Sequence, residues 1–263
     1  MARVRSTPVE ALLEQSDALT SWLAALPAMA FDQPSVLPGW DVRTVTGHLV
    51  LIHTGLLRAL RSPTADKGLP PAELVGRYRR DVAAITERTI TATGTFTPAD
   101  LLDQLRAARD ELARALLPGG ATPRTVETPR GPTSVTDFVA TRIIELVVHA
   151  DDLSRSLPDA APAPLCRSAL AVATRTLAAI LAGQHPGRSI EVRVPPFAAV
   201  QCGVGDPGPK HNRGTPPNVV ETDPATFFRL ATGRISWAAA TADATVHASG
   251  RLADLSSALP LLS

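Results

Sequence analysis

The sequence predicts an α+β protein in which a helical bundle is followed by a small domain of mixed helices and strands. The first part, residues 1–157, carries five stretches with helical spacing of apolar residues and no strand signal before residue 187. The second part, residues 158–263, opens with the linker-like PDAAPAP and changes at residue 189 to the alternating pattern of strands. At 263 residues the chain is long enough for two domains.

Helix-start signals define the helices of the first part. Residues 7–10 (TPVE) and 97–100 (TPAD) each place a threonine N-cap before a proline and an acidic residue. Asp41 is placed to cap a helix after the turn Leu37-Pro38-Gly39-Trp40, and Ser134 is placed to cap the last one. The predicted helices are 8–26, 42–60, 74–89, 98–117 and 138–153.

The second part begins with one more predicted helix, 165–183, and continues with strands. Strands are predicted at 189–194 and 197–202, and a turn-rich, mobile loop at 203–217. Residues 218–222 are predicted to return as the second arm of a hairpin. The remaining predictions are helices at 224–230 and 235–240, a strand at 245–248 and a closing helix at 253–262.

Composition favours a small-molecule partner. The net charge is +1, from 26 basic and 25 acidic residues without a dense basic patch, which argues against nucleic acid. There is neither an apolar run of 18 residues nor a signal-peptide pattern, so no membrane insertion is expected. Cys166 and Cys202 lie outside any C-x-x-C pattern, and Cys202 is expected to be a buried thiol. These observations favour a cytoplasmic protein.

The predicted helix 138–153 carries a narrow ionisable stripe on an otherwise apolar surface. At about 100° per residue, one arc roughly 100° wide contains Thr141, Arg142, Glu145, His149 and Asp152. Glu145 and His149, four residues apart, stack on one face and are a possible pair of metal ligands. The alternative is that the stripe is the solvated edge of an amphipathic helix. Asp151 and Asp152 are candidates to orient a ligand histidine, with Asp152 the better placed.

A third ligand is available on the predicted helix 42–60. His48 and His53 are five residues apart, about 140° around that helix, so only one of them can face a small site. His48 shares its side with Val45, Leu49 and Ile52 and is expected to point inward, whereas His53 lies nearer Thr54 and Arg58. His48, Glu145 and His149 would leave an open coordination position on a divalent metal. For either histidine alone, an ordinary hydrogen-bonded role remains the alternative.

Two segments resemble the mycothiol-dependent maleylpyruvate isomerase family. They are LPGWDVRTVTGHL near residue 40 and the helix ending ELVVHADDL near residue 150, and residues 223–262 resemble the sterol-carrier-like domain of that family. The resemblance implies a DinB-like bundle that holds a divalent metal, expected to be zinc, through His48, Glu145 and His149. It also implies mycothiol as co-substrate and, through the Leu-Ala-Thr-Gly-Arg segment, Arg234 as a catalytic residue.

The implied chemistry is activation of a small thiol. The metal would let the thiol react as a thiolate, for isomerisation of an electrophile or for S-transfer to it. Arg234 or Arg142 could hold a substrate carboxylate, and a surface salt bridge is the alternative for each. Lys210, His211 and Arg213 could meet an anion but are better explained as a solvated loop. The rival function is a non-enzymatic sterol-carrier-like protein that binds an apolar small ligand.

Overall fold

The computed structural model describes residues 6–77, 82–116, 123–204 and 217–262. The chain divides into two compact units, Met1–Leu69 with Arg80–Val172, and Pro70–Arg79 with Ala173–Ser263. The first unit is helical apart from one short strand pair, and the second contains a four-stranded sheet. The predicted α+β class is therefore confirmed.

Nine helices and six strands lie in the described ranges. The helices are α1 (Pro8–Ala24), α2 (Val42–Leu60), α3 (Pro71–Val75), α4 (Val82–Thr93), α5 (Pro98–Leu116), α6 (Val135–Ser156), α7 (Arg167–Gln184), α8 (Pro224–Ala231) and α9 (Trp237–Ala242). The strands are β1 (Thr125–Val126), β2 (Thr133–Ser134), β3 (Ile190–Val194), β4 (Ala198–Cys202), β5 (Val219–Thr222) and β6 (Val246–Ser249). A 3₁₀ turn, Ala28–Asp32, precedes α2.

The caps that position the bundle helices follow the sequence. Thr7 and Glu10 form a reciprocal capping box at the start of α1. The Asp41 carboxylate accepts from the Thr44 backbone N–H at the start of α2, and the Ser134 hydroxyl accepts from the Asp137 N–H at the start of α6. These caps fix where α2 and α6 begin, and so which of their residues face each other.

In the first unit, α1 and α2 each pack against α5 and α6, and α4 packs against α2. The close approach of α2 and α4 depends on Gly47, because a Cβ there would lie 2.1 Å from Thr93 Cγ2. Leucine, isoleucine and valine side chains fill the space between the helices. Those below 2% exposure include Leu12, Leu23, Val45, Leu49, Leu56, Leu101, Leu112, Val139, Ile143, Leu146 and Val147.

Two details of the first part differ from the prediction. The predicted helix 74–89 is divided between α3 and α4, and residues 78–81 lie outside the described ranges. The expectation of no strand before residue 187 is wrong, because β1 and β2 pair antiparallel through Thr125↔Ser134 and Val126↔Thr133. A pair of two-residue strands is too short to show an alternating pattern in the sequence. It anchors the crossing segment next to the start of α6.

In the second unit the sheet order is β4-β3-β5-β6. β4 pairs antiparallel with β3, but β5 pairs parallel with β3 and antiparallel with β6. The prediction that residues 218–222 form the second arm of a hairpin is therefore wrong. The turn-rich loop before them suggests a hairpin connection, but a connection of this length also permits a parallel crossover. Residues 205–216 of that loop lie outside the described ranges.

The predicted closing helix 253–262 is also wrong. These residues form turns, and the N–H groups of Leu261 and Leu262 donate to the Ala231 carbonyl. Pro260 has no N–H and disfavours helical geometry in Leu259, so the apolar spacing of this segment does not produce a helix. Its leucines nevertheless pack inward, with Leu255 and Leu261 buried. Among the described residues, no helix has both the length and the apolar content that crossing a membrane requires.

Candidate functional site

α2 and α6 bring the predicted metal-ligand trio together inside the first unit. His48 Nε2 lies 3.5 Å from Glu145 Oε2, and the ring centroids of His48 and His149 are 5.0 Å apart at an interplanar angle of 84°. His48 comes from the second turn of α2, and Glu145 and His149 come from successive turns of α6. The packing of these two helices therefore makes neighbours of three residues that the sequence separates by about 100 positions.

The ionisable stripe of α6 is interior. Thr141, Arg142, His149 and Asp152 are all buried, and the Glu145 side chain is 19% exposed. A solvated helix edge would leave such side chains in water. The interpretation of the stripe as a solvated edge is therefore wrong.

Asp152 orients His149. The Asp152 side chain is fully buried, and its Oδ2 lies 3.1 Å from His149 Nδ1. A carboxylate accepts, so Nδ1 carries the imidazole proton and Nε2 presents a lone pair. This carboxylate–histidine pair is the arrangement that commonly fixes a metal-binding imidazole. Arg155 lies 4.0 Å from the other oxygen of Asp152.

A threonine from α4 orients His48 in a similar way. Thr89 Oγ1 lies 3.3 Å from His48 Nδ1 and donates its own proton to the Ile85 carbonyl at 2.8 Å. Because that proton is used, the hydroxyl accepts from Nδ1–H, and His48 Nε2 presents a lone pair on the side of Glu145. Burial, partly offset by the contact with Glu145, lowers the pKa of His48, which favours the neutral ring. Trp40 packs edge-on against this ring at 5.3 Å.

Arg142 neutralises Glu145. Its Nη2 donates to Glu145 Oε1 at 2.8 Å, and its guanidinium carbon lies 4.6 Å from the centre of the Phe138 ring. Burial by itself would raise the pKa of Glu145, but Arg142 and the contact with His48 outweigh it and lower this pKa to about 2. Glu145 is therefore ionised at neutral pH.

His48, Glu145 and His149 can be compared with the ligands that a zinc ion requires. Two ligands about 2.1 Å from one zinc ion at a tetrahedral angle lie about 3.4 Å apart, close to the 3.5 Å between His48 Nε2 and Glu145 Oε2. Two imidazoles that are each held through Nδ1 and one ionised carboxylate are the kind of ligands found in catalytic zinc sites. In the part of the chain that the structure describes, however, no group of three or more His, Cys, Asp or Glu side chains has the arrangement needed to hold a metal ion. The trio stays a prediction.

His53 does not take part in this group. It was expected to lie nearer the polar side of α2, but it is 3% exposed and more buried than His48, so that expectation is wrong. Its Nδ1 donates to the Leu49 carbonyl at 2.7 Å, and its Nε2 lies 2.7 Å from Ser16 Oγ of α1. This is an ordinary hydrogen-bonded core histidine. As predicted from the spacing, only one histidine of the helix faces the site.

The other candidates lie elsewhere. Arg234 belongs to the second unit, where its Nη1 donates to the Thr232 carbonyl at 3.0 Å, and its catalytic role stays a prediction. Cys202 is fully buried, and burial raises the pKa of its thiol to about 11, in agreement with an inert thiol. Lys210, His211 and Arg213 lie outside the described residues.

Thr89 and Trp40 are contacts of His48 that the sequence interpretation missed. In the sequence, Thr89 is only the last residue of the predicted helix 74–89, and Trp40 belongs only to a turn motif. One signal was available for Trp40, because the turn ends immediately before the helix that carries His48. Thr89 could not be found in this way, since its contact depends on how α4 sits against α2.

The chain thus combines a helical unit that contains a candidate metal site with a small α+β unit. Comparison with known families identifies the family to which it belongs. The sequence matches the family described as "Mycothiol maleylpyruvate isomerase N-terminal domain" over residues 12–154 and the family "Bacterial SCP ortholog" over residues 166–261. The first match covers more than half of the chain. The chain therefore belongs to the mycothiol maleylpyruvate isomerase N-terminal domain family, and both parts of the resemblance seen in the sequence are confirmed.

Individual relatives agree with this assignment. Two uncharacterized proteins of Mycobacterium tuberculosis, Rv0036c of strain H37Rv and MT0041 of strain CDC 1551, are each 29% identical over 154 residues. These matches cover 58% of this chain and 57% of the relative, so they span little more than half of the relatives' length.

Solved structures show the same fold. The crystal structure of the mycothiol-dependent maleylpyruvate isomerase matches with a TM-score of 0.56 at 19% identity, over 92% of this chain and 91% of that chain. A histidine-to-alanine mutant of that enzyme matches with the same TM-score at 18% identity and the same coverage. At this level of identity the likeness concerns the fold.

Proposed function

We propose that this protein is a metal-dependent enzyme that activates mycothiol, or a similar small thiol, for isomerisation of an electrophile or for S-transfer to it. Membership of a family named for a mycothiol-using isomerase supports the thiol and the isomerase class. The metal, expected to be zinc, and the ligands His48, Glu145 and His149 are our proposal. We place the reaction in the cytoplasm.

One observation carries the proposal. His48 Nε2 faces Glu145 Oε2 across 3.5 Å, beyond the usual range of an N–H···O hydrogen bond but close to the separation of two donors that share a metal ion. The contact of Thr89 with Nδ1 of His48 leaves the Nε2 lone pair on the Glu145 side. A lone pair and a carboxylate oxygen facing each other in a largely buried position call for a cation between them.

In this proposal each side chain has a defined task. His48 and His149 would offer their Nε2 atoms, held by Thr89 and Asp152, and Glu145 would offer its carboxylate. A bound divalent cation supplies positive charge that lowers the pKa of an entering thiol, so that the thiol reacts as a thiolate at neutral pH. Trp40 packs against the His48 ring at 5.3 Å and would help to hold it in place.

The reaction balances without any further reagent. The thiol releases its proton to water, and the thiolate sulfur adds to one carbon of an activated double bond, whose electron pair moves to the activating carbonyl oxygen. The remaining single bond rotates, the electron pair returns, and the thiolate leaves to give the isomer. In S-transfer the sulfur instead stays attached to the electrophile, and the carbon next to the carbonyl takes up the proton that the thiol released to water. Arg234 is proposed to hold a carboxylate of that electrophile.

Metal analysis tests the proposal. Purified protein is expected to contain about one zinc ion per chain, and His48→Ala, Glu145→Ala and His149→Ala should each lose it. His53→Gln is the matched control, because it changes a buried histidine of the same helix that faces α1 and should retain zinc. Thiol-adduct formation, followed by mass spectrometry with an electrophile such as maleate, should disappear with the metal. The proposal is wrong if the three ligand variants hold as much zinc and form as much adduct as His53→Gln.

A non-enzymatic carrier of an apolar small ligand is the second candidate. The match of residues 166–261 to the bacterial SCP ortholog family favours it. The second unit also has an open groove of about 410 Å³ that contains Pro195, Pro196 and Phe197, although Arg193 and Glu221 make part of its lining charged. A carrier predicts that the protein purifies with a stoichiometric lipid, detected by mass spectrometry of an organic extract, and without zinc.

A further inference from the structure

The ion pair between Arg142 and Glu145 uses the same carboxylate that the proposed metal requires. Arg142 Nη2 and Glu145 Oε1 are 2.8 Å apart, and the Arg142 side chain is only 9% exposed. The guanidinium is held in place from its own helix, by the Phe138 ring at 4.6 Å and by Thr141 Oγ1 at 3.4 Å from Nε and Nη2. A cation bound to Glu145 would therefore have a fixed positive charge as its neighbour.

The charges along this part of α6 nearly cancel before any cation binds. Between residues 142 and 155 the helix carries two arginines and three carboxylates, Arg142, Arg155, Glu145, Asp151 and Asp152, for a formal net charge of −1 when histidine is not counted. A divalent cation would change this to +1. At Glu145 itself, the loaded site would hold a divalent cation and the largely buried Arg142 guanidinium against one carboxylate, so it has room for a further negative charge.

We propose that Arg142 exchanges partners when the site is loaded: it neutralises Glu145 in the metal-free protein, and it pairs with a carboxylate of the ligand once a divalent cation takes over Glu145. The inference rests on the proposed function, because it deepens the description of the same site. Cation and carboxylate would then favour each other's binding, and by linkage the effect is reciprocal. Arg142 lowers the affinity for the cation and in return provides a two-pronged site for an anion.

Zinc affinity tests the first half of the exchange. In Arg142→Met the repulsion between a unit charge and a divalent ion disappears, and at the effective dielectric of protein sites this outweighs the loss of one orienting hydrogen bond to Glu145. We expect Arg142→Met to bind zinc at least about tenfold more tightly than the wild type in competition with a chelator. Arg142→Lys keeps the charge and should stay near the wild type. If Arg142 only holds Glu145 in place, Arg142→Met will bind zinc more weakly, and the inference fails.

Chemical rescue tests the second half without any metal. In Glu145→Ala the guanidinium of Arg142 loses the carboxylate of Glu145, and acetate is small enough to replace it. In the presence of a chelator, 200 mM acetate should raise the melting temperature of Glu145→Ala by about 3 °C. Wild type and the double variant Arg142→Met/Glu145→Ala should show no more than the general effect of salt. Glu145→Gln offers a second background if the alanine variant folds poorly. Equal shifts in the single and double variants would overturn the inference.

The two arms separate this inference from the proposed function. If neither the wild type nor Arg142→Met binds zinc, the proposed metal enzyme is wrong and the competition for Glu145 fails with it. If zinc binds but Arg142→Met is weakened and acetate acts equally on the single and double variants, the metal site stands and the partner exchange is wrong. Tighter zinc binding in Arg142→Met together with selective rescue by acetate supports both.

Discussion

The two histidines of α2 occupy opposite kinds of environment. His48 lies beside Glu145, His149 and Trp40, and its Nε2 faces a carboxylate oxygen at 3.5 Å. Both ring nitrogens of His53, by contrast, are engaged at 2.7 Å, with a backbone carbonyl and with Ser16. Both nitrogens of the His53 ring lie close to oxygen atoms of the protein, whereas the His48 ring has one nitrogen without a close hydrogen bond.

This difference separates a candidate ligand from a structural residue better than burial does. His53 is the more buried of the two, and burial lowers the pKa of both rings. What distinguishes His48 is the state of its second nitrogen and the charged groups around it. Variants on the His48 side of α2 can therefore be compared with variants on its His53 side.

The largest effect is expected at Gly47, next to His48. In Gly47→Ala the new Cβ would lie 2.1 Å from Thr93 Cγ2 and 2.5 Å from Thr93 Cβ, so α4 must move away from α2. Overpacking of this kind costs about 3 kcal/mol of unfolding free energy, and the shift also carries Thr89 away from His48. Urea unfolding measures the loss, and zinc titration should show weaker binding. An unchanged unfolding free energy would mean that α4 can move away from α2 without cost, and that Gly47 is not needed for their close packing.

The next largest effect is expected at Asp152, which contacts His149 on the same side of α2 as His48. Asp152→Asn keeps the shape of the side chain but removes the charge that holds the proton on His149 Nδ1, so either tautomer of His149 becomes possible. We expect zinc affinity to fall about 10- to 100-fold, measured by competition with a chelator. Asp151→Asn is the control, because it removes the same charge from a neighbouring carboxylate, which lies 3.9 Å from Arg155. Equal losses in both variants would assign the effect to overall charge rather than to orientation of the imidazole.

The sequence correctly predicts the structural features of the helices that depend on nearby residues. Caps such as Thr7, Asp41 and Ser134 act within three residues, so the starts of α1, α2 and α6 could be inferred correctly. The five-residue spacing of His48 and His53 correctly excluded one of them from the site. Helical spacing and the inward direction of His48 suggest its grouping with Glu145 and His149, and the family resemblance implies the same three residues. Spacing within one helix does not by itself fix the distance to its neighbour.

Features that depend on tertiary packing could not be predicted in this way. His53 was placed on the polar side because a helix was assumed to have one interior face, but α2 meets α4, α5 and α6 and also reaches α1 through Ser16. The contact of Thr89 with His48 depends on the register of α4 against α2. The parallel pairing of β5 with β3 likewise joins strands separated by a long connection, and neither strand encodes its partner.

Acid should lower the unfolding free energy of the protein through the buried His53. Burial, partly offset by the bond to Leu49, lowers the pKa of His53, so the unfolded chain takes up the proton first as the pH falls below about 6.5. The stabilising effect of the neutral ring is therefore complete above that pH and is lost as the pH falls towards the lowered value. Between pH 7 and pH 5, the unfolding free energy of the wild type should drop more steeply than that of His53→Gln, with a difference of at most about 1.4 kcal/mol per pH unit. Parallel curves would show that His53 titrates normally in the folded protein.

The smallest effect, with the opposite sign, is expected at Gly55, two residues beyond His53. A Cβ at this position meets no described atom within 4 Å, whereas a Cβ at Gly47 would collide with Thr93. Gly55→Ala should therefore raise the unfolding free energy by about 0.5–1 kcal/mol through helix propensity and leave zinc binding unchanged. The same substitution at two glycines of one helix then reports on packing alone, because the propensity gain is common to both. If both alanine variants are stabilised, the close contact between α2 and α4 at Gly47 is not a constraint, and the support that Thr89 gives to His48 loses its structural basis.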